Sequence, residues 1–547
     1  MKPLIVQSDL SIMLSTSEDL FHEVKNEIIK FAEITSSPDS IYIFKITSLS
    51  IWNAIALGVT KEFISETLNK YSKHAVPKNV IDQVNSWYKQ YGVVELDEYD
   101  EDYFVVVAKN LKTRDKIKSN KDIFRLVTNE VREGFLIKKH YRGEIKHVLM
   151  KYDISVNDKL GFTAGEPLDF KMRDTHRKAG FEIKVRDYQE DSSVLCYEAG
   201  SGTVILPCGA GKTPTGLRFM ILNQKTTLIV TNSDASVKQW KQTLLDFTTL
   251  KEDQISCYTA KNKVVAPVTI CTYNMIAYRN KGEFPHFNNI IKNNWGTLVL
   301  DEVHLMPARL FRIVASFQAS RRLALTATFV RGDGRERDIF TLIGPRRYDK
   351  PWKDLEARGY IAKVNLKELR IPLTKQEQKQ YQESKTYQDK MSIAVMSKNK
   401  IEATKRLLEK HKGDKVLIIG QSTEQLEEFS RQLNIPVVHG KHTAEEREKY
   451  YDKMRNDDIN ELIASSIANA ALDIPSINVV IQISFLGSSQ NEEAQRVGRS
   501  TRPKEKDSFF YTIVIKGSPE EQQNFNRQKF LTGEGYKYQI EEMAMAS

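Results

Sequence analysis

Three short stretches combine residue types at spacings suited to phosphate chemistry. The run LPCGAGKT, residues 206–213, sets two glycines ahead of a lysine and a threonine. Gly209 and Gly211 let the backbone curl until several N–H groups point inward, with Pro207, Cys208 and Ala210 completing the loop. A helix beginning there adds its positive N-terminal end. Lys212 would then reach β- and γ-phosphates, and Thr213 would hold Mg²⁺ through its hydroxyl. Pro214 falls in the first helical turn, where a missing N–H costs little. The strict pattern has glycine where this chain has Leu206. A glycine turn that only closes a strand–helix connection is the alternative reading.

The second stretch, LVLDEVHLMPA (298–308), ends an apolar run with two carboxylates. Asp301 could hold Mg²⁺ through water, and Glu302 could orient and deprotonate a water attacking a γ-phosphate. His304 would sense that phosphate and couple two domains. Asp-Glu after a strand is also a common helix cap. The third stretch, QRVGRSTR (495–502), places three arginines at steps of three. On a helix Arg496, Arg499 and Arg502 form one slanted stripe. Phosphoryl transfer needs positive charge on the γ-phosphate as its bond breaks, and arginines from a second domain supply it. Arg499 and Arg502 are the expected fingers, with Gln495 and Arg496 bracing the cleft and the stripe facing the phosphate loop. The competing reading is a solvated basic helix face.

These residues need a scaffold. From residue 186 short β-branched runs alternate with amphipathic stretches: TVILP, TTLIVT, VTICTY, GTLVLDE and RRLALTAT, then KVLIIGQS, IPVVHG, ELIASS, NVVIQIS and FFYTIVIKG. Continuous apolar strands separated by helices predict an α/β class chain, with two tandem doubly wound parallel-sheet domains. The expected division is a mixed α+β N-terminal domain over 1–125, a small domain over 126–183, and α/β domains over 184–362 and 363–547, with a helical insert at about 370–400. Strand ends and helix starts would grip a polyanion through Thr231, Asn232, Ser233, Thr272, Tyr273, Ser422 and Ser465, each of which could equally be a strand-end cap.

At 547 residues the chain is too long for one core. Apolar content of 40%, charged content of 28% and a formal charge of +10 describe a mildly basic soluble protein, consistent with a polyanionic partner. No apolar run reaches bilayer length and the first residues lack a signal-peptide pattern, so a cytoplasmic protein is expected. Cys196, Cys208, Cys257 and Cys271 include no C-x-x-C pair, which argues against a structural zinc or an iron–sulfur cluster.

LPCGAGKT, DEVH, LTAT (325–328) and QRVGRSTR stand in the order of superfamily 2 helicases. With TNSDASVKQW, LIGPRRYDKPWKDLEARGYIAKV, PLIVQSD and FKITSLSIWNAIALG they closely resemble the XPB family of DNA repair helicases, in its compact bacterial form. The resemblance implies ATP as cofactor with Mg²⁺, 3′-to-5′ movement on DNA at single-strand–duplex junctions, a repair partner such as a nuclease, and a damage-recognition-like domain before the motor. It also implies that Gln189 in VRDYQ reads adenine with Arg186 nearby, that Thr326 and Thr328 couple hydrolysis to movement, and that Asp473 lies near the ribose. The family's Arg-Glu-Asp element reads Arg331-Gly332-Asp333 here, motif VI carries Ser500 and Thr501 where apolar residues are usual, and SSIANAALD lacks the usual glycine. The missing acidic centre keeps a double-stranded DNA pump with little strand separation as the alternative to a helicase. An ATP-gated DNA-binding scaffold is a third reading, which the intact catalytic set disfavours.

Overall fold

The computed structural model describes residues 2–36, 41–56, 58–281, 283–306, 313–314, 316–328, 343–465, 474, 476–485, 489–502 and 506–545. These fall into two compact units. Among the described residues, one holds the chain up to Ile205 and then 212–328 and 343–349; the other holds Leu206–Gly211 and the chain from Lys350 onward.

In the first unit, strands β1 (Leu4–Val6), β2 (Ser11–Ser15), β3 (Glu33–Ser36) and β4 (Ile41–Lys45) form an antiparallel sheet in the order β1-β2-β4-β3. The helices Ser48–Ala56, Lys61–Tyr71 and Lys78–Gln90 share its core. A second sheet contains β5 (Val94–Glu98), β6 (Tyr103–Ala108), β7 (Asn129–Glu130), β8 (Phe135–Lys138) and β9 (Val156–Asp158), in the order β7-β8-β6-β5-β9 around its own core. The expected boundary at residue 125 therefore falls inside one sheet. β5 and β6 read as short apolar runs, but their partner β8 lies beyond 125, and pairing across that distance leaves no local signal. Residues 160–183 form no body of their own. They run as a strap along the parallel sheet that follows, bridging Thr163 to Ala319, Pro167 to Lys225 and Met172 to Thr248. Gly165 permits this close approach: it has φ +76°, and a Cβ there would stand 2.3 Å from the Gly296 nitrogen.

The parallel sheet has seven strands: β10 (Ser201–Ile205), β11 (Thr227–Thr231), β12 (Ile255–Cys257), β13 (Val268–Thr272), β14 (Thr297–Asp301), β15 (Arg321–Thr326) and β16 (Arg346–Asp349). Their order is β12-β13-β11-β14-β15-β10-β16. Helix α1 (Asp187–Glu198) precedes β10, α2 (Lys212–Asn223) follows the phosphate loop, and α3 (Asp234–Phe247) follows β11. Every residue of β10, β11, β13 and β14 is buried, as continuous apolar runs require in a sheet covered on both faces. The N-terminal sheet docks on edge strand β16. Arg347 donates from Nη1 to Ile29 O at 2.6 Å and from Nε to Ser201 O at 2.8 Å, and the Lys25 ammonium lies 4.5 Å from the Tyr42 ring and 4.9 Å from that of Tyr348.

In the second unit β17 (Val364–Ile371), β18 (Val416–Gly420), β19 (Val437–Val438), β20 (Glu461–Ser465), β21 (Val479–Gln482), β22 (Ser508–Ile515) and β23 (Tyr538–Glu542) form another parallel sheet, ordered β19-β20-β18-β21-β22-β17-β23. The polar segment after β17 is helical as expected: Lys375–Glu383, Tyr387–Val395 and then α4 (Asn399–Lys410). Thr374 and Glu377 close a capping box at its start. Helices α5 (Gln490–Val497) and α6 (Pro519–Gly533) flank β22 in sequence. Strand β23 escapes sequence reading because YQIEE is largely exposed at the sheet edge, with no core face to impose an apolar pattern.

Candidate functional site

Strand register brings the first two motifs and LTAT to one level. Asp301 lies opposite Leu325, and Ile205, the residue before the phosphate loop, lies opposite Thr326. The carboxyl edge of a parallel sheet is where such folds bind ligands. Gly209 and Gly211 adopt φ +79° and +86°, the left-handed values that a loop of inward amides needs. Pro207 O accepts from Ala210 N at 3.1 Å, closing the turn, while Cys208 is half-buried and in no disulfide. Lys212 opens α2, Thr213 is partly exposed beside it, and Pro214 lies in the first turn as expected.

Lys212 Nζ lies 3.2 Å from Glu302 Oε1. Glu302 sits in the left-handed region at φ +51°, a strained backbone for a non-glycine residue. It caps the short turn Val303–Leu305 without a side-chain cap bond, so the carboxylate is directed to Lys212 rather than spent on a helix end. Asp301 is buried, and burial together with the neighbouring Glu302 raises its carboxyl above the usual range, against the pull of Lys212 and the Trp240 indole. Trp240 Nε1 donates to Asp301 Oδ2 at 2.8 Å, and Glu302 N donates to Asp301 Oδ1 at 3.0 Å. Tyr273 donates its hydroxyl to Asp301 O at 2.9 Å, with its own pKa pushed well up by burial and then by the two carboxylates.

His304 is buried behind this pair. Its Nδ1 lies 2.8 Å from Thr326 Oγ1 and 3.4 Å from Glu302 Oε2. The single Thr326 hydroxyl proton goes to Thr328 O at 2.6 Å, so Nδ1–H is the donor to Thr326. The acidic motif and LTAT, both of the first unit, are thus joined through one imidazole.

Other expectations change. Helix α5 stops at Val497 with Gly498 as its cap, so the three arginines do not form a helical stripe. Arg496 alone is helical, and it is 2% exposed: Nη1 donates to Gln482 Oε1, and Nη2 lies 3.3 Å from Glu492 Oε2. Burial, then the charge of Arg527, lowers its pKa to about 10. Arg496 braces the second sheet from within rather than lining a nucleotide pocket. Arg499 and Arg502 follow in a turn, both partly exposed, with Arg499 N donating to Arg496 O at 3.1 Å. Gln495 is half-buried on α5. Gln189 is buried, and its Oε1 accepts from Arg186 N at 3.0 Å in the cap of α1, while Arg186 Nη1 donates to the Tyr188 hydroxyl at 2.9 Å. Asp473 and the Arg331-Gly332-Asp333 element lie outside the described residues. Of the proposed phosphate grips, Ser233, Thr272 and Ser422 are helix N-caps, accepting from Ser236, Met275 and Gln425 amides. The cap reading holds for those three hydroxyls. Thr231 and Ser465 are buried at strand ends, and Tyr273 is buried at the start of the short helix that Thr272 caps.

Comparison with known proteins agrees with this layout. A family model described as ERCC3/RAD25/XPB C-terminal helicase matches residues 355–546, one described as type III restriction enzyme, res subunit, matches 182–331, and one described as helicase conserved C-terminal domain matches 4–131. The DNA 3′-5′ helicase XPB of Kineococcus radiotolerans is 36% identical over 98% of this chain and 96% of its own length. The chain belongs to the XPB family of DNA helicases. The Mycobacterium tuberculosis DNA 3′-5′ helicase XPB is likewise 36% identical, over 98% of this chain and 97% of its own length. The Enterocytozoon bieneusi general transcription and DNA repair factor IIH helicase/translocase subunit XPB is 31% identical, over 98% of this chain and 92% of its own length.

Residues present fit Mg²⁺ and a nucleoside triphosphate. Two adjacent carboxylates, one with its charge disfavoured by burial, gain from a cation. Among the described residues no group of three or more His, Cys, Asp or Glu stands ready to enclose a metal, so a cation here would complete its shell with phosphate oxygens and water, the usual habit of Mg²⁺. Thr213 and Asp301 are the protein groups that would hold it. Trp240 was missed as a functional residue. Its only sequence signal is one polar-capable aromatic, nine residues after strand β11, which cannot reveal a partner on β14. Trp240→Phe is expected to lower Mg²⁺-supported ATP turnover about 10- to 100-fold, as loss of an outer-shell donor does. Titrating activity with Mg²⁺ checks this, and an unchanged half-saturation would remove the indole from the role.

Proposed function

We propose that this chain is an ATP-driven 3′-to-5′ DNA helicase of repair. The carrying observation is Lys212 at 3.2 Å from Glu302, beside buried Asp301, on a sheet edge where register aligns the phosphate loop, the acidic pair and LTAT. Lys212 binds the β- and γ-phosphates, and the loop amides from Cys208 to Gly211 surround them. Glu302 leaves Lys212 when nucleotide enters, then orients a water and takes its proton. Mg²⁺ on Thr213 and Asp301 would neutralise charge on the phosphate oxygens. Arg499 and Arg502 supply positive charge to the γ-phosphate as its bond breaks, a contribution worth roughly 10³ to 10⁵ in rate. His304 relays the state of Glu302 to Thr326, which links hydrolysis to movement on DNA. Contacts to DNA run chiefly to phosphates, so binding weakens with salt and shows little base preference. The Gln189 and Arg186 pair borders an adenine site, and a nuclease-like repair partner is consistent with the family.

The test measures ATP hydrolysis with and without DNA alongside displacement of a labelled strand from 3′-tailed and 5′-tailed duplexes. Displacement only from the 3′-tailed duplex is expected. DNA-stimulated hydrolysis with no displacement from either would instead mark a duplex pump, and no hydrolysis at all would mark a binding scaffold.

A further inference from the structure

Helix α6 turns a polar face inward. Glu520, Asn524, Arg527 and Gln528 are all buried, at spacings where a helix normally presents Leu or Val. Together they reach three different elements. Glu520 pairs with Lys400 of α4 at 2.6 Å, both side chains fully buried. Asn524 and Gln528 each donate to Glu368 Oε2 on β17 at 2.8 Å.

Arg527 turns to α5 and joins a closed ring of five side chains. Its Nε donates to Glu493 Oε2 at 3.1 Å, and its Nη1 lies 3.7 Å from Glu492 Oε2. Gln482 Nε2 donates to the same Glu493 oxygen at 3.3 Å, Gln482 Oε1 accepts from Arg496 Nη1, and Arg496 Nη2 returns to Glu492 Oε2 at 3.3 Å. Two guanidiniums balance two carboxylates, with a neutral amide bridging between β21 and α5. The Arg527 guanidinium also lies 5.0 Å from the Phe485 ring.

Such a ring is a poor source of stability. Desolvating each ion costs several kcal/mol, and apolar side chains of the same volume often serve as well or better. What it supplies is direction. Apolar contacts let a helix slide or rotate at small cost, whereas charge-assisted hydrogen bonds from three sides define its rotation and rise. The helix so held ends at Val497, and its last turn carries the next residues: Arg499 N donates to Arg496 O at 3.1 Å, and Ser500 N to Val497 O at 3.0 Å. Any turn of α5 about its axis therefore displaces Arg499 directly.

We propose that Arg527, acting through Glu493 and Arg496, is a positioning residue for the Arg499–Arg502 segment. It sets where those guanidiniums stand during hydrolysis without touching nucleotide. This rests on the reading of Arg499 and Arg502 as the hydrolytic arginines.

The experiment uses the full chain and compares binding of ADP with that of ADP–aluminium fluoride, which mimics the phosphoryl group in transfer, by titration calorimetry. Arg527→Met and Glu493→Gln are expected to weaken the aluminium fluoride complex roughly 10- to 100-fold, the effect of a small misplacement of reacting groups, while ADP affinity stays within about twofold. Partial misfolding lowers the number of sites rather than Kd, so the two effects separate. Should Arg527→Met fail to fold, Glu493→Gln, with the same shape and no charge, carries the measurement. Arg499→Ala should weaken the analogue by itself, and adding Glu493→Gln should cost little more, because both act on one contact. Unchanged analogue affinity in Glu493→Gln, or fully additive losses in the double variant, would overturn the positioning role. Loss of no analogue affinity in either Arg499→Ala or Arg502→Ala would overturn the arginine assignment itself, which is a separate failure.

Discussion

Replacing Lys212 with alanine is expected to lower ATP turnover by on the order of 10³-fold, with or without DNA. The Lys212 ammonium stands 3.2 Å from Glu302 at the mouth of the phosphate loop, while the donor hydrogen of His304 is directed to Thr326. The loop amides remain, but they carry only partial charge. The loss is electrostatic rather than architectural, since the Lys212 side chain packs at the start of α2 and the helix keeps its other contacts. Steady-state hydrolysis, with thermal unfolding as the control for folding, reads the effect. A drop below about tenfold would mean that the phosphates are held elsewhere.

The second large effect is expected of Glu302→Gln, with turnover down roughly 10²- to 10⁴-fold as for loss of a general base. Here binding should move the other way. Glu302 engages the Lys212 ammonium, which the phosphates also need, and stands as a like charge beside Asp301. The amide removes both penalties, so ATP should bind as tightly as in the parent chain or more so, and remain unhydrolysed. A filter or fluorescence binding assay beside the ATPase assay separates the two quantities. Normal turnover in this variant would pass the base role to another group; weakened binding would mean that Glu302 holds the site together instead.

Several features were legible before any coordinates. Ten apolar runs became strands within a residue or two of their sequence limits, because a strand buried on both faces must be apolar throughout. The phosphate loop and the Asp301–Glu302 pair were equally plain, since each function requires neighbours along the chain and so leaves a contiguous signature. The arginine motif was legible in kind but not in shape. Steps of three suggested a helical stripe, yet the helix ends at Gly498 and puts Arg496 inside and Arg499 and Arg502 beyond it.

The sequence by itself therefore determined the chemistry: a phosphate cradle, an acidic pair and a set of arginines, in the order of one helicase family. Tertiary structure decided which members of those sets are buried in the scaffold, as Arg496 is, and which stay partly exposed, as Arg499 and Arg502 do. Trp240 meets Asp301 across 61 positions, and Arg527 meets Glu493 across 34. Partners that far apart leave no periodicity, because a hydrogen bond between distant elements is set by how sheets and helices pack and not by spacing along the chain. The same reason placed the domain boundary wrongly at residue 125, where β6 finds β8 only after the chain has folded back.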